Sequence, residues 1–108
     1  MPDLNSFKDQ ILRLSREIHK SQVKWRRHLH QYPETANEEF ETTVYIKTLV
    51  QQLGLKLLPL KMPTGALAEI KGSRPGPTVA IRADIDALPV LEQTGLPYAS
   101  KNKGRMHA

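Results

Sequence analysis

Residues 78–89, Thr-Val-Ala-Ile-Arg-Ala-Asp-Ile-Asp-Ala-Leu-Pro, constrain the possible folds of this chain more than any other segment. Their apolar, β-branched beginning is typical of a strand, and they end in two carboxylates and a proline. In open α/β sheets, ligands and catalytic groups lie at the carboxyl ends of strands. Since side chains two residues apart share one face of a strand, we expect Asp84 and Asp86 to converge. The spacing alone also fits a strand whose polar end merely reaches solvent.

The first half of the chain predicts two helices. Apolar residues spaced three or four apart predict one long helix over residues 4–31, ended by Pro33. Thr35 and Glu38 predict a capping box for a second helix, and Gly54 predicts its end. The apolar stripe of the first helix comprises Leu4, Phe7, Ile11, Leu14, Ile18 and Trp25, and that of the second comprises Phe40, Val44, Ile46, Leu49, Val50 and Leu53.

The second half predicts short strands joined by turns. Residues 55–60 and 66–71 read as strands separated by a turn at residues 63–65. The Gly- and Pro-rich residues 72–77 predict a tight connection that leads as a hairpin into a strand over residues 78–82. The segment from Leu91 to the end has turn chemistry and little periodicity, which predicts a loop.

Composition predicts one ordinary globular domain. Hydrophobic residues make up 39% of the 108 residues, and no apolar run approaches the length of a membrane-spanning helix. The start of the chain has no secretory-signal pattern, so we expect a cytoplasmic protein that does not bind a membrane. The net charge is +5, and basic residues crowd the first helix. We interpret them as a solvated helix face rather than a nucleic-acid site, because no aromatic residues are interleaved with them.

Several segments, taken together and in order, resemble one enzyme family. They are Arg-Arg-His-Leu-His-Gln-Tyr-Pro-Glu at residues 26–34, Thr-Gly-Ala-Leu-Ala-Glu-Ile at residues 64–70, Asp-Ile-Asp-Ala-Leu-Pro at residues 84–89, and the final Met-His-Ala. From about Trp25 onward, the chain resembles the zinc-dependent amidohydrolase and metallopeptidase family. Within that family it is most similar to the branch that cleaves hippurate, N-acyl amino acids and auxin conjugates.

This resemblance implies an α/β fold in which residues 1–108 are the N-terminal part of an α/β/α metallohydrolase catalytic domain, with two helices followed by β-strands. In the family, Met-His-Ala runs into a metal-binding Cys-Gly-His-Asp motif, and this chain ends just before it. We therefore expect the opening piece of a longer enzyme. That enzyme would use two divalent metal ions, zinc or manganese, to activate a bridging water, and a later glutamate as general base. It would cleave small N-acylated substrates, with a homodimer as one expected assembly.

The resemblance also assigns roles to individual residues. Asp86 takes the position of the aspartate that supports a metal-bound ligand, and is our candidate catalytic residue. Asp84 is a candidate supporting residue, or a partner of Arg82 or another cation. His107 is a candidate supporting residue rather than a ligand, so no residue here is predicted to bind metal directly. His28 and His30 are two apart on a helix and cannot chelate one ion together.

Two other classes of function remain open from the sequence. The polypeptide, as it stands, could be a catalytically inactive truncated remnant, which would bind no metal tightly. It could instead be a small basic binding module, which would require a salt-sensitive association with nucleic acid.

Overall fold

A computed structural model describes residues 3–108, in which two helices precede a β-hairpin. Helix α1 spans Leu4–Gln31 and helix α2 spans Phe40–Gln52. Strand β1 (Lys56–Leu58) pairs antiparallel with strand β2 (Leu67–Glu69), with Leu57 opposite Ala68. The predicted order of two helices followed by β-strands is confirmed.

Both predicted ends of α1 are confirmed. At its start, the Asp3 carboxylate accepts a hydrogen bond from the backbone N–H of Asn5 at 3.3 Å. At its end, Tyr32 leaves the helical conformation ahead of the fully buried Pro33. The apolar stripe of α1 lies largely in solvent, since Leu4 is 85% exposed, and the buried residue of the helix is His30.

The predicted capping box of α2 is wrong. Thr35 Oγ1 does donate to Glu38 Oε2 at 3.0 Å, but α2 begins later, at Phe40. The free N–H groups of its first turn donate instead to the Glu34 carboxylate, from Thr42 at 2.6 Å and from Glu41 at 3.2 Å. Glu34 precedes the turn between the helices. The bend of the chain brings its carboxylate to the start of α2, where it acts as the cap in place of the Thr35–Glu38 motif.

We expect Glu34→Ala to destabilise the chain by about 1–2 kcal/mol, because it leaves the part-buried N–H of Thr42 without an acceptor. Glu38→Ala is the matched control, since it removes only exposed contacts. Urea unfolding followed by circular dichroism measures both. A larger loss for the Glu38 variant would restore the capping box as the true cap.

Gly54 ends α2 as predicted. It adopts a left-handed φ of 75°, which an L side chain rarely adopts. Its N–H donates to the carbonyl of Gln51 at 2.9 Å, and the N–H of Leu55 donates to that of Val50 at 3.1 Å. These two bonds form a Schellman motif, which satisfies carbonyls that the helix would otherwise leave free.

Threonines, rather than the predicted apolar face, are the buried residues of α2. Thr42 and Thr43 are buried, whereas Phe40 is 55% and Val44 58% exposed. Thr43 Oγ1 accepts a hydrogen bond from the N–H of Gly65, in the turn between the strands, at 2.8 Å. This contact joins the hairpin to α2.

The predicted strand over residues 78–82 is not formed, and residues 72–77 do not lead into a hairpin. Within residues 3–108, no backbone hydrogen bond joins residues 78–82 to another segment. Val79 is 84% and Ile81 96% exposed. A strand needs a neighbour to pair its backbone, and β propensity alone cannot supply one. Separately, no helix of the described part of the chain is long and apolar enough to cross a membrane.

Candidate functional site

The segment that carries the two aspartates is anchored at Ala87. The N–H of Ala87 donates to the carbonyl of Glu34 at 2.8 Å, and Thr35 and Ala87 form a parallel bridge. Ala87 is 3% exposed, and Pro33 beside this junction is fully buried. The neighbouring Asp86 is therefore held against the turn between the two helices.

A second anchor brings His107 to the same place. Leu88 and Met106 exchange both backbone hydrogen bonds, at 2.9 and 3.0 Å. The chain thus returns antiparallel to residues 87–88, and His107 comes close enough to feel the charge of Asp86. The family resemblance assigns Asp86 and His107 separate supporting roles, and the two backbone junctions bring the segments that carry them together.

A cavity of about 490 Å³ lies beside this junction, between the last turns of α1 and the returning chain. Arg26, His30, Asp84 and His107 contribute polar groups to its wall, and Trp25 contributes apolar surface. Asp86 does not line the cavity. Of the three predicted site residues, the cavity therefore brings together Asp84 and His107.

Asp84 has a different environment from Asp86. Its Oδ1 lies 3.0 Å from Nη2 of Arg82, and the two side chains are 70% and 90% exposed. An exposed pair of this kind contributes little to stability. The expected partnership with Arg82 is present, but the segment is not a strand, so side-chain alternation does not place Asp84 and Asp86 on one face.

Burial and neighbouring charges act in opposite directions on the pKa of the His107 imidazole. Burial lowers its pKa below the ordinary value of 6.5, nearby His30 lowers it further when charged, and Asp86 raises it. Its Nε2 is buried without a hydrogen-bond partner in the described residues. Because the unfolded chain binds this proton more tightly, the folded chain loses stability as the pH falls below 6.5.

We expect Asp86→Asn to lower the pKa of His107 further, because the substitution removes the one charge that raises it. Asp84→Asn is the control and should leave the His107 titration unchanged. NMR titration of the ring protons in the three proteins measures the shift. An effect of Asp84→Asn larger than that of Asp86→Asn would show that the wrong carboxylate is paired with His107.

Sequence reasoning missed a buried pair formed by His30 and Glu92. His30 Nε2 lies 2.8 Å from Glu92 Oε1, and the two side chains are only 7% and 4% exposed. Hydrogen bonds from Thr94 and from the backbone of Ser100 hold the pKa of the Glu92 carboxyl below its usual value; burial opposes this, and His30 reinforces it. The ring of Tyr98 meets His30 edge-on. This packing gives His30 a structural role, and nothing local in the sequence singles out Glu92 as its partner.

The remaining histidine and glutamate expectations have mixed outcomes. His28 stacks on Tyr45 at 3.8 Å between ring centroids, so it has different partners from His30, as predicted for residues two apart on a helix. Glu39, which precedes the first turn of α2, is buried. Burial acts to raise the pKa of the Glu39 carboxyl, but hydrogen bonds from its own backbone, the Thr64 side chain and the Asn37 backbone bring that pKa below its ordinary value.

The described residues do not form a metal site by themselves. No group of three or more His, Asp or Glu side chains in residues 3–108 is arranged to hold an ion, and the sequence contains no cysteine. Asp86 and His107 supply at most part of the surroundings of such a site. By themselves, Asp86 and His107 place a carboxylate near a partly buried imidazole.

Comparison with known proteins identifies close relatives, although no family model matches the chain. It is 55% identical over 91 residues to an N-acetyl-L-cysteine deacetylase of Bacillus subtilis, a match that covers 84% of this chain and 22% of that protein. It is 42% identical over 101 residues to an N-acyl-L-amino acid amidohydrolase of Geobacillus stearothermophilus, covering 94% of this chain and 27% of the relative.

A solved structure agrees with these sequence matches. The YXEP protein of Bacillus subtilis, described as a dinuclear metal binding peptidase from the M20 family, superposes with a TM-score of 0.82 at 46% identity. The match covers 85% of this chain and 26% of that structure. The chain therefore spans about a quarter of the length of the relatives that it matches.

Proposed function

Since the chain belongs to the M20 family of peptidases and amidohydrolases, we propose that it forms the N-terminal part of a catalytic domain that hydrolyses the amide bond of N-acyl amino acids. The observation that carries this proposal is the junction at Ala87 and Leu88, which holds Asp86 beside His107. The segments that form the junction are those that resemble the family. The names of the relatives support an acylated amino acid as substrate.

We further propose that the whole enzyme works with two divalent ions, zinc or manganese. The dinuclear metal site of the M20 relative supports this number. Residues 3–108 contain no complete site, so the ions would take most of their ligands from other residues of the enzyme. The part played by this segment would be to present Asp86 and His107 at the edge of that site.

A chimera tests the proposed function. The residues of the Bacillus subtilis N-acetyl-L-cysteine deacetylase that match this chain are replaced by those of this chain, which share 55% identity with them. We expect the purified chimera to release the free amino acid from N-acetyl-L-cysteine, N-acetyl amino acids or hippurate, with metal-dependent rates comparable to those of the intact deacetylase. From the branch that the sequence resembles, we also propose that the whole enzyme cleaves hippurate-type conjugates, and the hippurate assay addresses this proposal.

The intact deacetylase is the control for assay and metal loading. A chimera that folds and takes up metal, yet hydrolyses none of these substrates, would contradict the proposed function.

A further inference from the structure

Glu92 is a buried carboxylate that joins three separate groups. Its Oε1 accepts hydrogen bonds from His30 Nε2 at 2.8 Å and from the N–H of Ser100 at 2.9 Å. Its Oε2 accepts a hydrogen bond from the Thr94 hydroxyl. Both oxygens are therefore engaged in a side chain that is 4% exposed. A buried acceptor with several partners fixes their relative positions, because releasing it leaves the donors unpaired.

The contacts of Glu92 fold the loop that follows it back onto the end of α1. Immediately after Ser100, the N–H of Lys101 donates to the carbonyl of Gln31 at 2.8 Å. Asn102 Nδ2 then donates to the carbonyl of Pro33 at 2.9 Å. Gln31 is the last residue of α1, and Pro33 lies in the connection from which Glu34 holds Ala87. The segment that carries Asp86 and the loop that leads to His107 are thus both hydrogen-bonded to residues 31–34.

The path from this loop to His107 is short. The N–H of Arg105 donates to the carbonyl of Asn102 at 3.0 Å, which turns the chain, and Met106 then pairs with Leu88. The hydrogen bonds made along residues 92–106 therefore help to fix the position of His107 relative to Asp86. His30 itself is close enough to affect the charge of His107.

We propose that Glu92 is a positioning residue, which sets the place of His107 beside Asp86 by fastening the loop of residues 92–102 to His30 and the end of α1. Glu92 acts through hydrogen-bond geometry and does not itself line the cavity. Only the catalytic consequence of this role rests on the proposed function. The structural consequence belongs to the 108-residue chain as it stands.

Three substitutions separate geometry from charge. Glu92→Gln keeps an oxygen that can accept from His30 and Ser100, and its amide nitrogen can donate to the Thr94 hydroxyl, although the charge is lost. Glu92→Asp keeps the charge but is one methylene too short to reach both donors. Glu92→Leu removes every acceptor. If hydrogen-bond geometry positions His107, the Glu92→Gln variant should keep His107 in place and the Glu92→Asp variant should not.

The first experiment measures amide hydrogen exchange by NMR in the 108-residue chain. In the Asp and Leu variants we expect the amides of Ser100, Lys101 and Met106 to exchange about tenfold faster or more, because the loop that holds them opens more often once the buried acceptor is lost. The ring signals of His107 should move with them. The amide of Gly65, bound to Thr43 in a different part of the molecule, is the internal control and should not change.

If the Glu92→Leu variant fails to fold, the comparison of Glu92→Asp with Glu92→Gln still decides between the outcomes. Unchanged Met106 exchange and His107 signals in the Asp variant would overturn the proposal. So would a Gln variant that disturbs them as much as Asp does.

The second experiment uses the chimera. We expect Glu92→Asp to lower kcat with little change in KM, because His107 is displaced while the substrate-binding parts of the relative are untouched, and Glu92→Gln to restore kcat. An inactive parent chimera would count against the proposed function alone, and the NMR experiment would still decide the role of Glu92. An active chimera whose Asp variant keeps full kcat would overturn the positioning role.

Discussion

Asp86→Asn is expected to reduce the turnover of the chimeric enzyme by about 10–100-fold, the usual effect of losing a carboxylate that supports a metal site. The reason lies in the position of Asp86, which is held by the Ala87 junction and acts on the charge of His107. Asn is nearly isosteric and the side chain of Asp86 is exposed, so the fold should persist. The measurement is the rate of N-acyl amino acid hydrolysis at matched metal loading, with thermal melts to confirm folding.

Asp84→Asn is the matched control for this prediction. Asp84 lies two residues before Asp86 and pairs with the exposed Arg82, so its loss should cost less activity. A nearly normal Asp86 variant beside a dead Asp84 variant would mean that the roles of the two carboxylates have been exchanged.

The 108-residue chain by itself is expected to release no amino acid from hippurate or N-acetyl amino acids, with zinc or manganese supplied. Residues 3–108 gather no three potential ligands around one point, so they cannot hold an ion in the way that metal-dependent hydrolysis requires. The assay compares the purified chain with a protein-free blank and with the active chimera. Turnover above the blank that a chelator abolishes would contradict this expectation.

The helices could be predicted from the sequence because their signals are local. The 3–4 spacing of apolar residues gave the bounds of α1, and Gly54 gave the end of α2, since each depends on neighbours within one or two helical turns. The start of α2 was predicted wrongly because it depends on a contact that is not local. Its cap is Glu34, and only the bend between the helices brings that carboxylate to the N–H groups of Glu41 and Thr42.

Contacts between distant residues explain the other differences. A strand over residues 78–82 has the right side chains, but pairing depends on a second segment that no local pattern supplies. The pair of His30 and Glu92 joins residues 62 apart in the chain, so its existence follows from the fold and not from spacing. Asp84, Asp86 and His107 could be named because a family motif carries them, whereas Glu92 stands in a loop with no pattern of its own.

The exposed residues 78–82 affect how this polypeptide behaves in solution. Val79 and Ile81 offer a β-branched surface, and no backbone hydrogen bond within residues 3–108 pairs residues 78–82 with another segment. Such a segment can add a strand from any passing chain, including an identical one, which is the first step toward cross-β aggregates. Loss of material through precipitation should therefore rise steeply with protein concentration.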